Sequence, residues 1–170
     1  MVHVILVDSD DNAIGTMEKM EAHQKGVLHR ALSVIVFNSR REILLQKRAR
    51  KKYHSGGLWT NTCCSHPIPG ESMEEAARRT LRHEMGLDLR PSFAYAFLYE
   101  AYLGSDLTEH EFDHVFTATS ELSPVINHEE VEDWKWIDVD TLRKDVEANP
   151  EMYSSWFRIM IGQEAFSQLV

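Results

Sequence analysis

Cysteine is almost absent: the 170-residue chain has two, Cys63 and Cys64, side by side. Adjacent thiols make no disulfide framework, so their role is catalytic, metal-binding or simple packing. No apolar run approaches the ~20 residues that a membrane span requires. The opening Met1-Val2-His3-Val4-Ile5-Leu6 lacks the basic flank and small-residue cleavage site of a secretory signal. The cytoplasm is therefore the expected location. A basic excess is missing too: the formal charge is −9, which removes the broad basic footprint that nucleic-acid binding needs. Internal repeats, low-complexity segments and linkers are also lacking. Hydrophobic content of 43% and charged content of 26% are ordinary, and residues 1–170 are expected to form one domain.

What the chain does have is concentrated in Trp59-Thr60-Asn61-Thr62-Cys63-Cys64-Ser65-His66-Pro67. Written as an extended strand, this stretch sends Thr62, Cys64 and His66 to one face and Cys63 to the other. A thiol and an imidazole, a candidate metal ligand, then share a pocket wall. Just upstream, five of the six residues from Lys47 to Lys52 are basic. Two readings are open for that run: a solvated loop, or a small polyanion site in which Arg offers forked donors and Lys a point charge. Gly56-Gly57 lets the backbone approach closely between the two features.

Val2 to Val7 reads as a strand, and Thr16 is a plausible cap for a short helical turn from Met17 to His23. His23 and His29 lack helical ligand spacing, so a shared ion would be held from a loop. Leu32 to Phe37 and Ile43 to Gln46 read as two strands joined by a tight turn. The firmest helix follows Ser72, whose capping box with Glu75 and closing Gly86 set its ends. Met73, Ala77, Thr80 and Glu84 share one face, leaving Glu84 either at the stripe's wet edge or paired with a cation. Phe93 to Tyr102 and Glu109 to Ala118 read as strands, the second placing Glu109 and Glu111 on one face. Those carboxylates either face solvent or converge on an ion. A further strand (Val131 to Ile137), a helix (Val139 to Glu147) and a terminal helix from Trp156 complete a mixed sheet with helices packed on it, an α/β fold.

Together these pieces resemble a type I isopentenyl-diphosphate Δ-isomerase, a Nudix-fold enzyme. The carrying motifs are Trp59 to Pro67, Gly70-Glu71-Ser72 and Glu109-His110-Glu111, with Lys19, His23 and His29 upstream and Ser154-Ser155-Trp156-Phe157 downstream. The resemblance covers nearly the whole chain and implies a Nudix-like α/β/α sandwich. It implies that His23, His29, His66, Glu109 and Glu111 hold a divalent ion, Mn²⁺, Mg²⁺ or Zn²⁺. Cys64 and Glu111 become the acid–base pair on opposite faces of the substrate, with Tyr99 bonded near the acid and Trp156 against the allyl unit. Lys19, Arg48, Lys52 and Ser65 contact the diphosphate, helped by a Mg²⁺ that Glu84 assists. The implied partner is a small allylic or homoallylic diphosphate, and the implied state a monomer.

Moving the double bond requires a proton added at C4 and another removed at C2. The tertiary cation between the two steps demands a water-poor site, and an indole face stabilises such a cation by about 2 kcal/mol when desolvated. A Nudix hydrolase would instead carry Arg-Glu-(apolar)-x-Glu-Glu-x-Gly in the helix after Ser72. Here that segment reads Arg79-Thr80-Leu81-Arg82-His83-Glu84-Met85-Gly86, with Thr80 and His83 in place of two acids. A hydrolase and a non-catalytic ligand-binding module are the alternatives this weakens. One departure stands out: Ser55-Gly56-Gly57 replaces the aromatic-Pro-Gly turn often found in the family. Cys63 and the histidines at 3, 54, 83, 110, 114 and 128 are assigned no role, the ligand count being already met.

Overall fold

The long apolar run after His29 becomes the axis of the sheet. A computed structural model describes residues 1–170, in which strand β3 (His29–Phe37) is buried over most of its length. Such a strand must be covered on both faces and paired on both edges. One edge pairs in parallel with β8 (Leu107–Thr119), from His29 opposite Glu111 to Phe37 opposite Thr119. The other edge takes three partners in turn: β1 (His3–Val7) at His29, β6 (Cys63–Ser65) at Leu32 to Val34, and β4 (Glu42–Arg48) at Phe37. Strand β7 (Ser92–Gly104) extends the sheet beyond β8, while β5 (Trp59–Thr60) and β9 (Val131–Asp138) both pair with β4.

The period-two alternation of β3 divides the core. Leu32, Val34 and Val36 pack with Cys63 against Ala76, Ala77, Leu81 and Met85 of helix α2 (Met73–Met85). Ile35 points the other way, into a cluster with Tyr99, Trp156, Phe157, Met160 and Phe166. The last four come from helices α4 (Ser155–Ile161) and α5 (Glu164–Ser167), with Val139 and Leu142 of α3 (Val139–Ala148) beside them. Helices on both faces of a mixed sheet make an α/β/α sandwich.

Helix α2 starts at Ser72, which accepts from Glu75 N at 3.2 Å while the Glu75 carboxylate accepts from Ser72 N at 3.0 Å. Gly86 ends it at φ 67°, where an added Cβ would lie 2.5 Å from the Val125 carbonyl oxygen. The N-terminal third departs from expectation. Ala13–Glu18 is a strand, β2, paired with β1, and helix α1 (Lys19–Lys25) begins only after it. Glu18, not Thr16, caps α1 by accepting from Glu21 N at 2.9 Å. His23 therefore stands on a helix and His29 opens a strand, rather than both lying in a loop. Strand β2 hides its identity because four of its six residues are exposed, so no apolar alternation marks it. No helix is long and apolar enough to cross a membrane.

Candidate active site

A cavity of about 280 Å³ opens where β3, β6 and β8 meet the α4 side of the sheet. Cys64, Ser65 and His66 line it, as do Lys19, Arg48, Lys52, Glu84, Tyr99, Glu109, Glu111 and Trp156. His23 and His29 stand behind the wall, each fully buried.

The floor is a cluster of acceptors. His23 Nδ1 lies 2.7 Å from the Lys19 carbonyl and His29 Nδ1 lies 2.7 Å from the Val27 carbonyl. A carbonyl only accepts, so both rings are protonated at Nδ1 and turn a bare Nε2 lone pair inward. His66 Nε2 approaches His29 Nε2 at 3.2 Å and Glu111 Oε1 at 2.9 Å. His29 and His23 Nε2 stand 3.4 and 3.9 Å from that same Oε1. His23 Nε2 is buried without a hydrogen-bond partner. Burial pushes His66 down to about 3, against the pull of its Glu111 bond, and lowers His23 as well. Neutral imidazoles converging on a carboxylate, one with an orphaned nitrogen, fit a divalent cation.

His23, His29, His66 and Glu111 form one group of potential ligand atoms within 4.8 Å of one another; Glu109 falls outside it and groups with His23 and His54 instead. Tyr99 connects the carboxylates: its hydroxyl lies 2.5 Å from Glu111 Oε2 and 3.1 Å from Glu109 Oε2. Burial, then repulsion from Glu111, holds the Glu109 carboxyl well above the usual range. Glu111 is just as buried, but the His29 and His66 imidazoles beside it hold its carboxyl well below.

Cys64 and Glu111 flank β3 from opposite edges, Cys64 opposite Ser33 on β6 and Glu111 opposite His29 on β8. Burial pushes the Cys64 thiol up, with Arg48 pulling the other way, so at neutral pH it carries its proton. The neighbouring motif residues are scaffold. Thr62 Oγ1 donates to Leu44 O and accepts from Val36 N, bridging β3 and β4. Asn61 donates to Cys63 O at 2.7 Å, while its Oδ1 receives the Trp156 indole N–H at 3.2 Å. Ser154 Oγ donates to Thr60 Oγ1 at 2.9 Å, tying the start of α4 to β5. Trp156 is only 2% exposed, with the Arg48 guanidinium 5.0 Å from its ring centre.

The cavity also carries cations. Arg48 is buried, and its Nε has no partner. Lys52 is bonded to Glu130, and burial, then Lys52, lowers Lys19. Glu84 accepts from Gln46 Nε2 at 2.7 Å, and burial raises its carboxyl to about 7 against that bond. It belongs to neither ligand group around His23.

The sequence reading had no place for Arg79, Glu130 and His54, all of which line the cavity. Arg79 precedes Glu84 by five residues on α2, outside the i−3 and i−4 positions that share a helix face, and is held by Glu71 at 2.7 Å. His54 has no local motif that marks it. Burial, with Arg48 next, pushes its imidazole down to about 3.

Known proteins are similar to this chain in sequence and fold. The family model described as NUDIX domain matches residues 27–157. The chain is 55% identical over 153 residues to isopentenyl-diphosphate Delta-isomerase 2 of Aromatoleum aromaticum, covering 90% of this chain and 81% of that one. It is 45% identical to isopentenyl-diphosphate Delta-isomerase of Pectobacterium atrosepticum, covering 96% and 91%. Among solved structures, DR0079 from Deinococcus radiodurans superposes with a TM-score of 0.71 at 19% identity, covering 86% of this chain and 89% of that one, a likeness of fold. A MutT NUDIX hydrolase from Burkholderia pseudomallei gives 0.63 at 20% identity, covering 84% and 98%. With sequence and fold in agreement, the chain belongs to the Nudix family and, within it, to the isopentenyl-diphosphate Delta-isomerases.

Proposed function

We propose that this chain interconverts isopentenyl and dimethylallyl diphosphates by adding and removing protons at two carbons of one bound substrate. The observation that carries the reading is the placement of Cys64 and Glu111 in one cavity from opposite edges of β3. A flat alkene between them presents one face to each.

Lys19, Arg48, Lys52 and Ser65 bind the diphosphate, joined by Arg79. Glu84, with a carboxyl near 7, would assist a Mg²⁺ that accompanies it, and such an ion would neutralise phosphate charge. The binding energy of that handle positions C2 and C4 against the acid–base pair. One group delivers a proton to C4, leaving the positive charge on C3, and the other takes a proton from C2 to close the new double bond. Cys64 and Glu111 are the two groups that share this work. Trp156 offers its ring to the cation while the apolar wall excludes water. Tyr99 fixes Glu111 by holding Oε2.

His23, His29, His66, Glu109 and Glu111 would hold Mn²⁺, Mg²⁺ or Zn²⁺. Such an ion supplies positive charge that stabilises the carboxylate form of Glu111. We place the enzyme in the cytoplasm as a monomer; two free thiols suit a reducing compartment.

Incubation with Mg²⁺ and isopentenyl diphosphate in D₂O tests the reading. Deuterated dimethylallyl diphosphate is the expected product. Phosphate release would identify a hydrolase, and binding without turnover a ligand-binding module.

A further inference from the structure

Four of the five basic residues from Lys47 to Lys52 are answered by an acidic segment at the start of β9, Glu129 to Glu132. Lys47 and Arg50 pair with Glu132, Lys51 with Glu129 and Lys52 with Glu130. Arg48 alone has no carboxylate partner, and its buried Nε has no partner of any kind. Of the four pairs, only Lys52 and Glu130 line the cavity, their side chains 22% and 25% exposed. A diphosphate donor is thus already occupied, while its neighbour Arg48 is left open.

The Glu130 side chain is not needed to hold the two segments together. The backbone does so, Ala49 N donating to Glu130 O at 2.9 Å. The Lys51–Glu129 and Arg50–Glu132 pairs, each at 3.2 Å, brace the contact on either side. The same turn is anchored to the end of α2, since Asn127 N donates to Glu84 O at 2.9 Å and Glu130 N donates to Asn127 O at 2.9 Å. Glu84 and Glu130 therefore bring two acids to one cavity. His83, the next basic group at 3.9 Å from Glu130, is 61% exposed and screened by water. Lys52 is the cation that balances Glu130.

An anion that takes Lys52 leaves Glu130 bare, next to a second acid and against the anion's own charge. Like charges set side by side oppose binding. A divalent cation arriving with the diphosphate replaces the charge that the lysine withdraws, so the same exchange becomes favourable. We infer that Glu130 is a specificity-determining residue, which ties up Lys52 and yields it to a diphosphate carrying a divalent cation but not to the bare anion. An unpaired charge raised against the wrong ligand is the repulsive half of specificity. The inference rests on the reading that Arg48 and Lys52 receive the diphosphate.

Calorimetric titration of the full chain with inorganic pyrophosphate, with Mg²⁺ and without added metal, tests this against Glu130→Gln, which keeps the size and removes the charge. Without metal, the variant should bind pyrophosphate at least about tenfold more tightly, the gain expected when a donor free about a tenth of the time becomes fully free. With Mg²⁺ the two affinities should nearly coincide. Glu129→Gln, which removes the same charge outside the cavity, should change neither; an equal gain there would reduce the effect to net charge and overturn the inference. Equal affinities without metal, or weaker binding by Glu130→Gln under both conditions, would overturn it too. So would an unaltered protein whose pyrophosphate affinity Mg²⁺ leaves unchanged, whether or not the variant folds. If Lys52→Ala binds Mg²⁺-loaded pyrophosphate as tightly as the unaltered protein, the diphosphate reading itself falls, and the inference with it.

Discussion

The cavity's two sets of groups are built differently. Around the proton-transfer site, Cys64, His29, Glu109, Glu111 and Tyr99 all stand on strands, and His23 on a helix packed close to them. Among the diphosphate-binding groups, Lys52 lies on a turn, while Lys19, Arg79 and Arg48 reach in from α1, α2 and β4 on long side chains. Proton transfer fails when reacting atoms are misplaced by an ångström, so its groups are short and locked by regular structure. A diphosphate accepts donors from many directions, so flexible cations suffice. Those cations are also held in advance by partners, Lys52 by Glu130 and Arg79 by Glu71.

If this contrast is right, damage to the rigid set should be far costlier. Cys64→Ala and Glu111→Gln should each lower deuterium exchange about a hundred- to ten-thousandfold, the range for losing a general acid or base. Retained exchange in either variant would break the assignment. Lys52→Ala should raise KM about tenfold with kcat nearly unchanged, as expected for a charge-assisted bond formed equally in ground and transition states. A comparable fall in kcat would erase the difference between the sets. On β6 itself, pH separates the two thiols. Burial raises Cys64 above its ordinary 9.0, so at pH 8 iodoacetamide should label it more slowly than free cysteine, at a rate still climbing above pH 9. The same shift means that Cys64 supports folding at lower pH and that this support is lost as pH rises through its folded value. Cys63, fully buried under α2, should resist labelling altogether. The smallest effect belongs to α2: Ser72→Ala should cost about 1 kcal/mol, seen as a fall in Tm of about 2–4 °C, with exchange preserved.

The features legible in sequence were those with a local signature. Helix α2 announced both ends through Ser72, Glu75 and Gly86, and β3 announced itself by a continuous apolar run. The opposite orientations of Cys63 and Cys64 follow from strand alternation alone, and their packing in separate clusters agrees. Strand β2 was invisible because an exposed strand needs no apolar period, and its Glu18 cap lies outside the usual capping residues. His54 was illegible for a different reason. Its place depends on the turn around Gly56 folding back to a helix and a strand distant in sequence, which no local pattern encodes.

The alternation that parts the two cysteines also governs how the protein meets an oxidant. Neighbouring thiols on opposite faces of β6 cannot close a vicinal disulfide without tearing Cys63 and Cys64 from their pairing with Val34 and Ser33. Cys63 is thus no resolving partner for a sulfenic acid formed at Cys64. Peroxide damage at the reacting thiol has no internal repair. Recovery depends on a small thiol diffusing into the cavity, by the same opening that admits the substrate.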